Sequence, residues 1–207
     1  MKVPPVLPLL SIHSLHMPLI LASRSPQRAK LLEGLGVRFE VIVSAVDEPN
    51  HPTLSPAERA QQLAHLKAQD VSRRFPRRSV LGADTLVALR DGTLLEKPVD
   101  AEDAARMLRL QSADVCTVRS ALCLIDSHGK KHEGLDSTRV HFRTLTDADI
   151  AWWIGTDLWR ERSGGFQIDG PGQLLIKKIE GDWTGVVGLP IFLFGLLCRE
   201  ADFSLSA

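Results

Sequence analysis

The chain is poor in cysteine, carries no excess charge and has no long apolar run. Its three cysteines form no CxxC pair, so neither a disulfide framework nor a cysteine zinc site is expected, and a reducing cytosol fits. Lysine plus arginine and aspartate plus glutamate both number 25, so no global basic field favours a nucleic-acid polymer, and any anion site must be local. No apolar run approaches the roughly 18 residues of a membrane span. With 207 residues, 44% of them hydrophobic, the chain suits one domain or two small lobes around one core.

The first 16 residues are interpreted as an extension that precedes a single domain over residues 17–207. Lys2 and the apolar residues after it faintly resemble a signal peptide, but three prolines interrupt the stretch. Cleavage after Ala22 would also remove the first predicted strand. The sequence therefore favours a disordered extension over residues 1–16, or a start that really lies at Met17, with secretion as the weaker alternative.

The rest of the chain alternates helices with strands and hairpins. Helix starts are marked by Ser, Thr or Asp with a proline next to it or a carboxylate three residues later. An Asp-Gly pair marks a tight hairpin. Strands are predicted at 19–21, 39–44, 79–89, 94–95, 115–125, 135–142 and 173–179, and helices at 26–34, after 55, at 100–108, at 146–154 and after 190. This order predicts an α/β fold with a mixed twisted sheet flanked by helices rather than a purely parallel array.

A polar turn follows the first strand, in the stretch LILASRSPQRAKLL. Ser25 is a good N-cap for the helix after it, and a helix N-terminus offers backbone N–H groups and partial positive charge. Ser23 adds a hydroxyl, while Arg24 and Arg28 can add guanidinium groups. The turn is therefore a candidate anion site, and phosphate is the anion that such a turn favours. The alternative is a capped helix with solvated arginines.

A carboxylate interrupts the apolar strand VLGADTLVAL. Asp84 must there be paired, bound to a metal or shifted in pKa, unless backbone donors satisfy it. Asp47 and Glu48 follow another strand and supply a second pair of carboxylates. Lys67 on a helix and Lys97 before a proline are candidate cations. Considered alone, each residue other than Asp84 could equally be an ordinary surface residue: Asp47, Glu48, Lys67 and Lys97.

Taken in order, these segments resemble the Maf-like nucleoside triphosphate pyrophosphatase family. The matching series runs from residue 19 to 197: LILASRSPQRAKLL, SAVDE, LAHLKA, VLGADTLV, LLEKPVDAEDAARML, VHFRTLTDADI, SGGFQIDGPG and IEGDWTGVVGLP. Each motif is weak alone, whereas the ordered set is specific. The resemblance implies two lobes around a central nucleotide cleft. It also implies a cytoplasmic hydrolase that cuts a nucleoside triphosphate between its α- and β-phosphates, with Mg²⁺ or Mn²⁺.

The resemblance further implies roles for individual residues. Asp84, in GADT, is the implied proton acceptor and a metal ligand, and Glu48 is the other implied metal ligand. The implied phosphate-binding residues are Ser23, Ser25, Arg28, Lys67 and Lys97. Phosphoryl transfer needs charge neutralisation more than covalent help, and carboxylates are hard ligands of the kind Mg²⁺ prefers. The implied partner is a nucleoside triphosphate, with no nucleic-acid polymer and no membrane, and a homodimer is left open.

The chain departs from the family pattern at the expected base pocket. Gln27 stands where the family has the first arginine of Pro-Arg-Arg, and Asp169 stands where it has the glutamine of Ile-Gln-Gly. Thr85, within GADT, favours the dTTP and UTP branch over the GSDQ branch, which prefers 7-methyl-GTP. We expect Gln27 and Asp169 to alter this preference, because an ionised carboxylate accepts hydrogen bonds but cannot donate them.

A second class of function remains open beside the enzyme. The segment QSADVCTVRSA, residues 111–121, lacks the family's glycine, histidine and threonine. The alternative to an active enzyme is a catalytically silent nucleotide-binding module that acts in septum formation or cell division through a partner. Retention of Asp84, Glu48, Lys67 and Lys97 favours the enzyme, since a silent module has no chemical need for that set.

Overall fold

The computed structural model describes residues 17–47 and 53–205, within which seven strands form one sheet. The strands are β1 (Leu19–Leu21), β2 (Phe39–Val41), β3 (Val80–Ala88), β4 (Leu94–Leu95), β5 (Val115–Ile125), β6 (Lys131–Phe142) and β7 (Ile176–Glu180). The helices are α1 (Pro26–Gly34), α2 (Pro56–Arg74), α3 (Ala101–Gln111), α4 (Asp147–Gly155), α5 (Trp183–Val187) and α6 (Ile191–Glu200). Two 3₁₀ turns, Ser163–Gly165 and Gly170–Leu175, precede β7. The predicted extension over residues 1–16 lies outside the described residues.

The sheet is mixed, as predicted. Its order is β2-β1-β3-β5-β6-β7, with β4 paired to β3 off this path. Strand β1 is parallel to both β2 and β3, whereas the pairings β3–β5, β5–β6 and β6–β7 are antiparallel. The prediction of an α/β fold with a mixed sheet flanked by helices is therefore confirmed.

Side chains alternate across the sheet and so bury different helices on its two faces. Leu19 and Leu21 pack in one cluster with Leu32 of α1 and Phe194 of α6. Ile20 between them packs instead with α2, on the opposite face. This is the two-residue period of a strand that is buried on both sides. Helix α2 therefore packs on the face of the sheet opposite to α1 and α6, where it can present side chains to the strand ends.

Besides the cluster with α2 on the opposite face, the long strands contribute to two further clusters, one toward each end. Strand β5 contributes Cys116 and Val118 to a cluster with α3 and α4, while its residue Leu122 belongs to the cluster with α1 and α6. Strand β3 likewise contributes Leu81 to one core and Val87 to the other. The middle of β3 lies between these cores, which correspond to the two predicted lobes.

Helix starts follow local capping chemistry. The Ser55 side chain accepts from the Glu58 N–H and the Glu58 carboxylate accepts from the Ser55 N–H, which forms the predicted capping box of α2. Thr146 and Asp149 form the same arrangement on α4. Ser25 caps α1, with a proline at the first helical position. These boundaries were predictable because each depends on contacts within four residues.

Four predicted boundaries were wrong and one helix was missed. Helix α3 ends at Gln111 rather than at residue 108. Strand β2 ends at Val41 rather than at residue 44, and β6 begins at Lys131 rather than at 135, because it pairs with β5 along its whole length. Residues 173–175 belong to a 3₁₀ turn that begins in Gly-Pro-Gly, so β7 starts only at Ile176. The five-residue helix α5, capped by Asp182, was not predicted. None of the described helices is long and apolar enough to cross a membrane.

Candidate active site

A cleft of about 690 Å³ lies between the two lobes. Its lining comes from the turn after β1, from α2, from residues 161–169 and from α5. Every predicted site residue that the structure describes lines it: Ser23, Ser25, Gln27, Arg28, Lys67, Asp84, Thr85, Lys97 and Asp169. Glu48 lies outside the described residues, and its neighbour Asp47 is exposed. The tertiary structure therefore gathers into one cleft residues that are up to 146 positions apart, from Ser23 to Asp169.

Asp84 is buried in the cleft and paired with Lys67. The Lys67 ammonium donates to Asp84 Oδ1 at 2.7 Å, and the two side chains are only 14% and 8% exposed. The second carboxylate oxygen, Oδ2, is buried and has no hydrogen-bond partner among the described residues. Buried carboxylate oxygens are normally satisfied, so an unpartnered one suits a water molecule or a hard cation.

Close packing of α2 on β3 places Lys67 at Asp84. A Cβ at Gly82 would clash with the Ala64 carbonyl oxygen and crowd Ala68, so only glycine allows this approach. Gly82 is two residues before Asp84 on the strand, and Ala68 follows Lys67 on the helix. The glycine of GADT therefore sets the distance across which the lysine and the aspartate meet.

Arg28 is buried and ties three segments together. Its Nε donates to the Gly188 carbonyl at 2.8 Å, one terminal nitrogen donates to Ser23 Oγ at 2.8 Å, and the other donates to Thr85 Oγ1 at 3.0 Å. The alternative of solvated arginines therefore applies to Arg24, which is exposed, but not to Arg28. A direct contact of Arg28 with phosphate stays a prediction, because these three hydrogen bonds go to protein groups.

The clamp formed by Arg28 continues into the sheet through Ser120, a residue that the sequence analysis missed. The Ser120 hydroxyl donates to the Gly185 carbonyl at 2.6 Å and lies 2.8 Å from Thr85 Oγ1. Since the single Ser120 proton is used on Gly185, Thr85 must donate to Ser120 and accept from Arg28. A polar residue inside an apolar strand was the signal that identified Asp84, and it could have identified Ser120 as well.

Ion pairs line the outer part of the cleft. Lys97 donates to Glu161 at 2.7 Å, and both side chains are exposed. The hydrogen bond from Lys97, with its positive charge, lowers the pKa of Glu161. Arg59, buried on α2, pairs with Glu96 at 2.8 Å. Neither Arg59 nor Glu161 was identified from the sequence, although Arg59 stands eight residues before Lys67 on the same stripe of the helix.

The two departures from the family pattern, Gln27 and Asp169, both line the cleft. Gln27 is half-buried, and its side-chain oxygen accepts from the Ser25 hydroxyl at 2.9 Å. Asp169 is exposed, and its backbone carbonyl accepts from the Gln167 side chain at 3.0 Å. Its negative charge acts on Arg162, whose pKa is nevertheless lowered because the guanidinium is buried. Both departures are therefore placed where a bound molecule could contact them.

The fold and the cleft define an α/β protein with a cation- and hydroxyl-lined site around a buried carboxylate. The family model described as Maf-like protein matches residues 18–201, so the chain belongs to the Maf-like family, as the sequence predicted.

Two relatives are each named dTTP/UTP pyrophosphatase. The protein from Deinococcus radiodurans is 42% identical over 185 residues, which is 89% of this chain and 93% of the relative. The protein from Alkaliphilus oremlandii is 42% identical over 184 residues, covering 88% and 95%. A solved structure titled nucleoside-triphosphatase / dITP/XTP pyrophosphatase, from Mycobacterium abscessus, gives a TM-score of 0.46 at 13% identity and covers 90% of this chain and 95% of its own.

Proposed function

We propose that the chain hydrolyses a nucleoside triphosphate between its α- and β-phosphates, with dTTP and UTP as substrates, and releases a nucleoside monophosphate and diphosphate. The buried Asp84–Lys67 pair in the cleft is the observation that carries this proposal. The names of the relatives support it, and the chain is an enzyme that acts on nucleotide anhydride bonds, as expected from its sequence. No described feature favours the silent module, since the predicted catalytic aspartate and its lysine are both in place.

The groups in the cleft can divide the reaction between them. Asp84 Oδ2, which has no hydrogen-bond partner among the described residues, can accept a proton from the attacking water while Lys67 holds the other oxygen. The water oxygen bonds to phosphorus as the bridging P–O bond breaks, and diphosphate leaves. Lys67, Lys97 and the hydroxyl of Ser25 line the cleft where phosphate oxygens need stabilisation.

The same carboxylate fits a divalent cation. A buried oxygen without a protein donor is the kind of hard ligand that Mg²⁺ or Mn²⁺ binds, and Asp84 would hold it, with Glu48 as the further ligand expected from the family resemblance. Such an ion neutralises phosphate charge and acidifies bound water. Asp84 therefore combines orientation of the water with retention of the ion, and the cations of the cleft orient the phosphates.

A screen for released diphosphate tests the proposal. The purified chain is incubated with the common nucleoside and deoxynucleoside triphosphates and with 7-methyl-GTP, in Mg²⁺ or Mn²⁺. We expect diphosphate and monophosphate in equal amounts, fastest with dTTP and UTP. Release of orthophosphate alone, or no turnover of any of these nucleotides, would overturn the proposal. A preference for 7-methyl-GTP would support the proposed hydrolysis between the α- and β-phosphates but would reject dTTP and UTP as the preferred substrates.

We further propose that Asp169 contacts the base edge and that Gln27 lies near it. An ionised Asp169 favours bases that present N–H donors, and an acceptor facing an acceptor costs about 1–3 kcal/mol, roughly 5- to 150-fold in selectivity. The double variant Gln27→Arg, Asp169→Gln should sharpen the dTTP and UTP preference in kcat/KM. Glu33→Gln, on the exposed side of α1, is the control. An unchanged profile in a folded double variant would exclude both residues from specificity.

A further inference from the structure

Three potential metal ligands from three different elements meet outside the cleft. His65 Nδ1 of α2 lies 2.8 Å from Glu133 Oε1 of β6 and 3.9 Å from Cys123 Sγ of β5. The ligand atoms of all three residues lie within 4.8 Å of one another. Cys123 is buried, His65 is half-buried and Glu133 is exposed, so the group extends from the protein interior to the solvent-exposed surface.

A tetrahedral ion of the zinc class needs only small adjustments of these separations. With Zn–N and Zn–O near 2.0 Å and Zn–S near 2.3 Å, tetrahedral ligand atoms stand about 3.3–3.6 Å apart. The His65–Glu133 separation of 2.8 Å is that of a hydrogen-bonded pair and lies below that range, and the His65–Cys123 separation of 3.9 Å lies above it. Both contacts must therefore adjust by about 0.3–0.5 Å when an ion binds. Nitrogen, sulfur and carboxylate oxygen together select a borderline ion such as Zn²⁺ over Mg²⁺.

The cluster faces a second surface cavity, of about 250 Å³. His65 and Glu133 line it together with Gln61, Gln62 and Lys131, and no residue is shared with the lining of the cleft. The side-chain oxygen of Gln62 is buried and has no hydrogen-bond partner among the residues described. It offers an acceptor in the wall of the cavity for a water molecule that completes the coordination of an ion.

We propose that His65, Cys123 and Glu133 form a binding site for a zinc-class transition-metal ion, separate from the Mg²⁺ or Mn²⁺ of the cleft. The ion joins α2 to β5 and β6. Cys123 is in register with Gly82 on β3, and His65 is two residues before Lys67. The site would therefore fix α2 to the sheet within two residues of Lys67, and this inference does not depend on the proposed substrate.

Two features of the cluster disfavour binding of the ion. Burial, with the nearby charge of Glu133, raises the pKa of the Cys123 thiol, so the thiol proton must be released to solvent when sulfur binds. The Lys131 ammonium lies 3.4 Å from His65 Nδ1 and 3.7 Å from Glu133 Oε2. Its side chain is half-exposed and can swing into solvent, and the variant Lys131→Met should bind the ion more tightly.

Cobalt is the probe because a Co²⁺–thiolate bond gives a charge-transfer absorption that oxygen and nitrogen ligands do not. The full chain is titrated with Co²⁺ in the presence of excess Mg²⁺, and Zn²⁺ is then added in competition. We expect one equivalent of Co²⁺ to develop the band and Zn²⁺ to remove it. Cys123→Ser should abolish the band, and His65→Gln and Glu133→Gln should each weaken binding by about tenfold or more.

Matched variants separate this site from other binding. His128→Gln removes an exposed histidine of the β5–β6 turn, and Cys116→Ser and Cys198→Ser remove the two cysteines buried elsewhere; none of them should change the titration. Free Zn²⁺ at about 100 times its Kd should raise the Tm of the wild type, but not of His65→Gln, by about 5–10 °C. Absence of the band in the wild type, or its persistence in both Cys123→Ser and His65→Gln, would overturn the proposal.

Discussion

Replacing Asp84 with asparagine removes the carboxylate while keeping the size of the side chain. Asp84→Asn removes the negative charge that lies 2.7 Å from the Lys67 ammonium in the wild type, in a site where both side chains are nearly buried. The amide oxygen of asparagine can still accept the lysine hydrogen bond. The change therefore separates the loss of a base from the loss of a side chain.

The two expected effects differ in size. A positioned general base typically contributes 10²- to 10⁴-fold, which is about 3–5 kcal/mol of barrier. Breaking a fully buried ion pair costs about 3–5 kcal/mol of stability, but Lys67 opens onto the cleft and can be hydrated there. With its hydrogen bond kept, we expect a loss of about 1–3 kcal/mol, or about 2–12 °C in Tm. The variant should thus stay folded and lose nearly all turnover.

The assay compares kcat for diphosphate release with Tm for each variant. Asp126→Asn is the matched control, because Asp126 is also a buried aspartate, bound to His132 at 3.0 Å, but lies outside the cleft. It should lower Tm without lowering kcat. Retention of more than about a tenth of wild-type kcat by Asp84→Asn, a barrier change below about 1.4 kcal/mol, would refute the role of Asp84 as the essential base.

Three further predictions concern stability. Ala113 has a φ of 57°, where a non-glycine residue costs about 1–2 kcal/mol, so Ala113→Gly should raise Tm by a few degrees; an unchanged or lower Tm would contradict this. Burial raises the pKa of Asp136, so its ionisation opposes folding as pH rises above the usual value near 3.9. The amide oxygen of Asp136→Asn can still accept from Thr138. The variant should therefore have a higher Tm than the wild type at pH 7 and the same Tm at pH 3. A Tm difference that is the same at both pH values would refute the reasoning. A chain starting at Met17 should match the full chain in Tm and activity, since the family match begins at residue 18; a drop of many degrees would show that residues 1–16 pack on the core.

Local sequence determined the elements whose chemistry is local. The caps at Ser25, Ser55 and Thr146 needed contacts within four residues, and each was predicted correctly. Asp84 was recognisable as unusual because an ionised group in an apolar strand needs a partner wherever that strand lies. The order of the motifs was enough to identify the family, because insertion or loss of elements would have broken the series.

The tertiary structure decided which of those residues meet. Lys67 pairs with Asp84 because Gly82 allows α2 to approach β3, a distance that no spacing along the chain encodes. Arg28 belongs to a clamp rather than to a solvated turn because Gly188, 160 positions away, brings a carbonyl to its Nε. The cluster of His65, Cys123 and Glu133 was invisible in the sequence for the same reason, since strand register and helix packing, not motif spacing, bring its three ligand atoms together.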